Sequence, residues 1–168
     1  CAVCLLARTR PYLHDFEEDF RPSLSVLLCA YNEEACIEEK MKNLLSQDYP
    51  ADRMEVLAAS DASTDRTDEI LRGFEADGRV RFLPHEQRQG KSALLNELIE
   101  KASGEILILT DANSMYHPGV LHALARHFSD PEIGLVTGEM RWIEEASESA
   151  VGKGSRLYWG YESFVKRA

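Results

Sequence analysis

The chain has 168 residues, a length that suits one domain with a single hydrophobic core. Hydrophobic residues make up 44% and charged residues 29% of the chain, which is ordinary for a globular protein in water. The formal net charge of −10 argues against a nucleic-acid partner, because such proteins present a basic surface. An anionic ligand would therefore need a bridging cation, local Lys or Arg side chains, or helix N-termini.

The N-terminal stretch, residues 1–21, is predicted to be a linker. Its first seven residues are apolar and precede Arg8 and Arg10, a pattern that fits either the cytoplasmic end of a transmembrane helix or a frayed chain terminus. No run approaches the ~20 apolar residues that span a membrane. Because the chain lacks a starting Met, we expect it to be a segment of a longer protein.

Four cysteines occur without a second C-x-x-C pair or a Cys/His cluster of the kind that binds zinc. They are Cys1, Cys4, Cys29 and Cys36. This pattern predicts free thiols in a reducing compartment.

Two strand-to-helix units are predicted in the first half of the chain. Ser23–Ala30 is an apolar strand, and apolar residues at helical spacing predict a helix that ends near Gln47. Met54–Ser60 is the second strand. The polar loop Asp61–Asp65 follows it, and one of the last two loop residues is the predicted N-cap of the next helix.

A third unit follows Gly78. Val80–Leu83 is a short strand, and a helix opens at Gln89–Ser92. Gly104 is its predicted C-terminal stop, because glycine commonly ends helices.

The apolar run Ile106–Leu109 is predicted to be a central strand buried on both faces, as in a parallel sheet covered by helices. Pro118 begins a further helix. Ile133–Arg141 is predicted to be the last strand. The tail, residues 144–168, is predicted to be a connecting loop and an amphipathic aromatic helix, whose partner is the domain's flank, a carboxyl-terminal part or a membrane interface.

The alternation of strands and helices predicts an α/β fold with a mostly parallel sheet and helices on both faces. Three polar loops follow strand ends: Tyr31–Glu34, Asp61–Asp65 and Asp111–Asn113. Because open α/β sheets bind ligands at the carboxyl ends of their strands, we expect the three loops to converge there.

Asp111 and Asn113 are two residues apart, so in an extended segment both side chains would lie on one side of the backbone. Two oxygen-bearing side chains at this spacing can hold a hard cation. Taken singly, the same residues are also common in turns, and Asp61, Asp65 and Lys91 could be turn, cap or solvated residues.

Four motifs in order resemble the inverting family 2 glycosyltransferases with the GT-A fold. They are S-V-L-L-C-A-Y-N-E-E, S-D-A-S-T-D-R-T, R-Q-G-K-S-A-L-L-N and D-A-N-S. The resemblance extends from about Pro22 to Arg167. The later E-M-R and L-Y-W-G-Y-E-S-F segments are similar to membrane-associated members that make cell-wall or extracellular polysaccharides.

The resemblance implies that residues 22–143 bind a nucleotide sugar, a UDP-sugar by preference, with Mg²⁺ or Mn²⁺. The implied nucleotide-sugar residues are Ala30, Tyr31, Glu33, Asp61, Lys91, Asp111 and Ala112, and the implied metal ligands are Asp111 and Asn113. Asp61 would accept a hydrogen bond from the base, and Lys91 would approach the diphosphate.

Three residues depart from the family pattern. Cys29 replaces a proline, Ala62 replaces a glycine that favours positive φ, and Asn113 replaces the second acid of a D-x-D pair. The neutral Asn113 keeps an oxygen ligand but removes one charge, so we expect weaker metal binding.

The family pattern further implies that the full-length protein transfers sugar to a glycan or lipid acceptor at the cytoplasmic face of the cell membrane. Its catalytic base, a carboxylate, is expected beyond Ala168, so the segment itself would bind donor without efficient transfer. Two alternatives stay open. A nucleotidyltransferase would need a Gly- and Arg-rich loop after the first strand, and a receiver-like signalling module would need paired acids there; this chain has Ala30–Glu33 instead.

Overall fold

Residues 17–138 of the chain are described here from a computed structural model. The strands in this range are β1 (Leu24–Ala30), β2 (Met54–Asp61), β3 (Val80–His85) and β4 (Ile106–Asp111). The α-helices are α1 (Ile37–Leu45), α2 (Thr67–Phe74), α3 (Lys91–Lys101) and α4 (Val120–Ala125). Short 3₁₀ helices cover Ala51–Arg53, Glu75–Asp77 and Arg126–Ser129.

The four strands pair in parallel in the order β3-β2-β1-β4. Leu27 of β1 lies opposite Leu57 of β2 and Leu109 of β4, which fixes the register on both sides. The predicted α/β class with a parallel sheet is therefore confirmed.

Side chains that alternate along β1 enter two different cores, because successive residues of a strand point to opposite faces. Val26 and Leu28 join the larger core with Ile37, Met41 and Leu44 of α1, together with residues of α2 and α4. On the other face Leu27 packs with Leu57 and with Leu94 and Leu98 of α3. Helices therefore cover both faces of the sheet, as the apolar periodicity of α1 and α3 predicts.

The prediction that β4 is a central strand buried on both faces is wrong for the described part of the chain. Among residues 17–138, β4 lies at an edge of the sheet, with Leu107 36% and Leu109 57% exposed. The helix on that face, α3, packs its buried leucines on β1 and β2 instead. An unbroken apolar run indicates a strand, but it does not show which neighbours cover that strand.

The predicted strand Ile133–Arg141 is also wrong over its described portion. Residues 133–138 form no strand, and Leu135 is 86% exposed. Gly134 and Gly138 interrupt this stretch, and glycine weakens a strand because it has no side chain to pack. The rest of this segment, most of the predicted linker and the predicted aromatic helix lie outside the described residues. Within residues 17–138, no helix is both long and apolar enough to cross a membrane.

Gly104 serves a different purpose from the predicted helix stop. Helix α3 ends at Lys101, and Ala102 is already extended, with ψ of 139°. A Cβ on Gly104 would lie 2.5 Å from the Ser25 nitrogen and 2.6 Å from the Leu24 carbonyl carbon. The backbone N–H of Gly104 donates to Ser25 Oγ at 2.8 Å. Glycine is required because the chain passes against β1 on its way into β4.

Replacing Gly104 by alanine should destabilise the fold by about 2–3 kcal/mol, because the added methyl group meets backbone atoms that cannot move independently. Urea unfolding gives the free energy. Gly73→Ala in α2 is the matched control, since a Cβ there meets no atom within 4 Å. The control should gain about 0.5–1 kcal/mol from helix propensity. Equal effects of the two substitutions would contradict the close approach at Gly104.

Candidate functional site

The carboxyl ends of β1, β2 and β4 lie side by side along the end of the sheet where these parallel strands terminate. This end is called the strand edge below. Ala30 pairs with Ser60, the residue before Asp61, and Cys29 pairs with Asp111. Asp61 and Asp111 therefore flank the end of β1. The predicted convergence of the three loops is confirmed.

The loops after β1 and β2 are tied together by reciprocal hydrogen bonds. Asn32 Oδ1 accepts the Thr64 N–H at 2.8 Å, and Asp65 Oδ2 accepts the Glu34 N–H at 3.1 Å. Asp65 Oδ1 also accepts the N–H of Thr67, the first residue of α2, at 3.0 Å. Asp65 therefore holds the first residue of α2, but the N-cap position is Arg66, one residue after the predicted Thr64 or Asp65. The polar residues of both loops shape the backbone around the site.

Two non-glycine residues in these loops have positive φ. They are Asn32, with φ of 54°, and Ala62, with φ of 58°. Asparagine tolerates this conformation, whereas alanine is strained there because its Cβ approaches the next carbonyl oxygen. The prediction that residue 62 needs a conformation suited to glycine is confirmed.

Glu33 makes its described contacts within its own loop and the adjoining helix start. Its N–H donates to Thr67 Oγ1 at 2.8 Å, and its Oε2 accepts from Cys36 Sγ at 3.2 Å. Burial, followed by the contact with Glu33, raises the pKa of the Cys36 thiol to about 11. The predicted contact of Glu33 with a nucleotide stays a prediction.

Asp61 is 4% exposed and is held by the segment that precedes α3. Its Oδ1 accepts the Gln89 N–H at 2.7 Å, and its Oδ2 accepts the Gly90 N–H at 3.1 Å. The Gln89 N–H lowers the pKa of Asp61, with further lowering from Gly90 and Arg88 against the opposing effect of burial. Asp61 is therefore a carboxylate at neutral pH.

Arg88 completes this side of the site and was not among the predicted site residues. Its guanidinium carbon lies 3.8 Å from the centre of the Tyr31 ring, and its Nε lies 3.6 Å from Asp61 Oδ2. The signal for it in the sequence was its place as the first residue of the R-Q-G-K motif, three positions before Lys91. This side of the site therefore has an aromatic ring and a planar guanidinium group next to the carboxylate of Asp61.

Lys91 and Asp111 form an ion pair, Nζ to Oδ1, at 2.5 Å. Both side chains are more than half exposed, with 60% and 54% of their surface accessible. Two predicted site residues thus meet in a position that a ligand can reach. Ala112, by contrast, is buried in the larger core, so only its backbone can contact a ligand.

The segment Asp111–Asn113 is not extended. The expectation that the Asp111 and Asn113 side chains lie on one side of an extended backbone is therefore wrong. It turns, and Ser114 donates its N–H and its Oγ–H to the Asp111 carbonyl at 3.4 Å and 3.0 Å. Among residues 17–138, no group of three or more His, Cys, Asp or Glu could hold a metal. One carboxylate and one amide oxygen suit Mg²⁺ or Mn²⁺ only if ligand phosphates and water supply the other positions.

The two cysteines within the described range are free thiols, as predicted. Cys29 lies between Asp61 and Asp111, and its Sγ–H points to the Lys91 carbonyl at 4.0 Å. Burial raises the pKa of this thiol to about 11, against the opposing effect of Lys91. It is therefore neutral at pH 7 and is a poor nucleophile.

Comparison with protein families matches residues 25–164 to the family described as glycosyl transferase family 2. A probable glycosyltransferase, YdaM, of Bacillus subtilis is 32% identical over 130 residues, covering 74% of this chain and 31% of the relative. The poly-beta-1,6-N-acetyl-D-glucosamine synthase of Staphylococcus epidermidis is 32% identical over 125 residues, covering 74% of this chain and 30% of the synthase. The chain thus spans about a third of these curated relatives.

Two solved structures are similar to the fold. The mannosyltransferase PcManGT of Pyrobaculum calidifontis, in complex with GDP-Man and Mn²⁺, matches with a TM-score of 0.71 and 30% identity, covering 79% of this chain and 42% of that protein. TarS 1-349 of S. aureus, in complex with UDP-GlcNAc, matches with a TM-score of 0.58 and 26% identity, covering 64% of this chain and 31% of that protein.

Ala62→Gly should stabilise the fold by about 0.5–1 kcal/mol. The substitution relieves a left-handed conformation that costs an L-residue ~1–2 kcal/mol, and the greater freedom of glycine in the unfolded chain offsets part of the gain. Urea unfolding measures it. Ala123→Gly, within α4, is the control and should lose about 1 kcal/mol. A loss of stability for Ala62→Gly would contradict the strain.

Asp61→Asn should lower the free energy of unfolding by about 1–2 kcal/mol at pH 7, because charge-assisted bonds to two N–H groups are weakened. The pKa of Asp61 is lower in the folded state than in the unfolded chain. Its stabilising contribution is therefore present above the unfolded pKa of ~3.9 and is lost as pH falls through the folded pKa. Unfolding at several pH values should show the difference between wild type and Asp61→Asn shrinking in acid. A difference independent of pH would contradict this.

Proposed function

The chain belongs to glycosyl transferase family 2 and has the GT-A fold, and we propose that it is the donor-binding part of an enzyme that transfers a sugar from a nucleotide sugar. The acceptor is a glycan or lipid, and the reaction inverts the sugar's configuration. One observation carries the proposal. Lys91 and Asp111 form an exposed ion pair at the strand edge where Asp61, Tyr31 and Arg88 also meet.

The base is proposed to lie beside Tyr31, Arg88 and Asp61. Aromatic rings and guanidinium groups both stack on flat π systems. The Asp61 carboxylate has about four lone-pair sites, and the N–H groups of Gln89 and Gly90 do not use them all. A remaining site can accept an N–H of the base, and uracil provides one. UDP-GlcNAc in the similar TarS structure supports a uridine donor.

The diphosphate is proposed to bind between Lys91 and Asp111. The Lys91 side chain is 60% exposed, so a phosphate oxygen can reach its ammonium group and replace the contact with Asp111. Asp111 and Asn113 would then hold Mg²⁺ or Mn²⁺ together with the phosphates. When bound, the cation supplies positive charge that stabilises the departing diphosphate. The Mn²⁺ complex of the similar mannosyltransferase supports this assignment.

Transfer also needs a carboxylate that deprotonates the acceptor hydroxyl. The acidic side chains of these loops within residues 17–138 already have partners: Asp61 and Asp65 accept backbone N–H groups, Asp111 pairs with Lys91, Glu33 accepts from the Cys36 thiol, and Glu34 accepts the Arg66 N–H. We therefore assign the base to none of them and propose, from the family resemblance, that it lies in a part of the full-length protein beyond Ala168. Residues 22–143 are the proposed donor domain, residues 1–21 and 144–168 join it to a membrane-associated protein, and the chain alone is expected to bind donor without efficient transfer.

The two alternatives have less support. The loop after β1 has neither the Gly- and Arg-rich sequence of a nucleotidyltransferase nor the paired acids of a receiver domain, and the chain matches glycosyl transferase family 2 and a mannosyltransferase structure.

UDP at about 100 times its Kd, with Mn²⁺, should stabilise the chain by ~2.7 kcal/mol and raise Tm by about 5–10 °C. Asp111→Asn should remove the part of the shift that depends on Mn²⁺. Differential scanning fluorimetry with UDP and GDP, each with and without Mn²⁺, measures both effects.

The control is Asp52→Asn, in the 3₁₀ helix before the amino end of β2, at the opposite edge of the sheet. It should keep the full shift. An unchanged Tm with millimolar UDP, GDP and Mn²⁺ would sink the proposed function.

A further inference from the structure

Helix α1 carries a fully buried lysine, Lys40, on the same face as Ile37, Met41 and Leu44. Taking an ammonium group out of water costs several kcal/mol, and an apolar residue would complete the stripe without that cost. Lys40 is not among the predicted site residues, and the proposed contacts with the donor do not include it. Its position beneath the donor edge therefore needs a reason.

The ammonium group of Lys40 is held by the segment that follows β4. Its Nζ donates to Thr110 Oγ1 at 2.8 Å and to the Ser114 carbonyl at 2.5 Å, and it lies 4.0 Å from the centre of the Tyr116 ring. These contacts bracket the turn that contains Asp111 and Asn113. Among residues 17–138, no carboxylate lies within ion-pair distance of Lys40, so its charge is not neutralised in the core.

A second residue of α1 binds the far end of the same segment. Asn43 Nδ2 donates to the Tyr116 carbonyl at 2.9 Å, and Asn43 Oδ1 accepts the Tyr116 N–H at 2.8 Å. Lys40 and Asn43 are three residues apart and so share one side of the helix. Together they attach the chain from Thr110 to Tyr116 to a rigid element, but only Lys40 brings charge.

The charges around the turn favour an anion. Asp111 carries one negative charge, Asn113 carries none, and Lys91 and Lys40 approach the turn from the solvent side and from the core. Burial lowers the pKa of Lys40 to about 8, while Asp111 raises it, so Lys40 is mostly protonated at pH 7. The net charge of this group is positive before any metal binds.

We propose that Lys40 is a positioning residue of the donor site, whose buried ammonium group fixes the Asp111–Ser114 turn and adds positive charge beneath the diphosphate. The inference rests on the proposed function. It assigns part of the phosphate attraction to a fixed internal cation, which compensates for the neutral Asn113 and lets the diphosphate bind with less dependence on Mg²⁺ or Mn²⁺.

The test is calorimetric titration of UDP into the full chain, with Mn²⁺ and with EDTA. Lys40→Met keeps the shape of the side chain and removes its charge. It should weaken UDP binding in EDTA by about tenfold, the scale of one charge acting at short range in a partly buried site, and should weaken it less when Mn²⁺ is present. Asn43→Ala is the matched control, because it loosens the same segment without changing charge. It should lower Tm but change UDP affinity by the same small factor in both buffers.

If wild type and Lys40→Met bind UDP equally in EDTA, or if Asn43→Ala reproduces the EDTA-specific loss, the proposal for Lys40 is overturned while the proposed function stands. If the wild type binds no UDP in either buffer, the same titrations are made with GDP, and binding of neither nucleotide means that the proposed function itself fails. Should Lys40→Met not fold, Lys40→Gln, which keeps an N–H donor without the charge, replaces it and should show the same EDTA-specific loss. If neither variant folds, Lys40 is required for the fold alone and the proposal is overturned.

Discussion

The parallel pairing of β1 with β2 on one side and β4 on the other is the constraint on which the site depends. Neighbouring strands are ~4.8 Å apart, so Asp61 and Asp111, which end the strands on either side of β1, are separated by two strand spacings, about 10 Å, across the end of β1. That separation is comparable to the distance between a base and the diphosphate attached to it. The register therefore defines two halves of one binding edge before any loop is considered, and an apolar β1 buried on both faces holds the register in place.

The motif residues at this edge divide into two kinds once their hydrogen bonds are known. The side-chain oxygens of Asn32 and Asp65 accept backbone N–H groups of the neighbouring loop, so these two residues stabilise the backbone around the site. Tyr31, Lys91 and Asp111 keep exposed side chains whose partners are other side chains, and such contacts exchange for a ligand at little cost. Asp61 belongs to both kinds, because it anchors Gln89 and Gly90 and still has acceptor capacity toward the edge. The sequence motif alone does not separate these duties, since Asp65 and Asp111 are the same residue type near a strand end yet belong to different kinds.

The strands β1 and β2 were predictable to within one residue, because apolar runs bounded by polar turns carry that information locally. The position of β4 as the outermost strand on its side of the described sheet was not predictable, because burial depends on which helix covers which strand. Gly104 looked like a helix stop because glycine after a helix usually is one, yet the contact that excludes a side chain there comes from Ser25, 79 residues away. The buried position of Lys40 was not predicted for a related reason. A lysine in a helix is expected in water, and only the fold brings Thr110 and Ser114 to its ammonium group.

For an acidic chain, the proposed binding of a diphosphate requires positive charge close to the ligand, and the structure has such charge at the strand edge. The net charge of −10 acts over the whole surface, where salt screens it within about 10 Å. At the strand edge, Arg88 and Lys91 face the proposed ligand and Lys40 lies beneath the turn, against Asp61 and Asp111 as the nearby anions. Of these cations only Lys40 is shielded from water, so its field weakens least with salt. Placing one fixed cation in the core therefore does more for an anionic ligand than adding another lysine to the surface would, and it leaves the overall acidic surface unchanged.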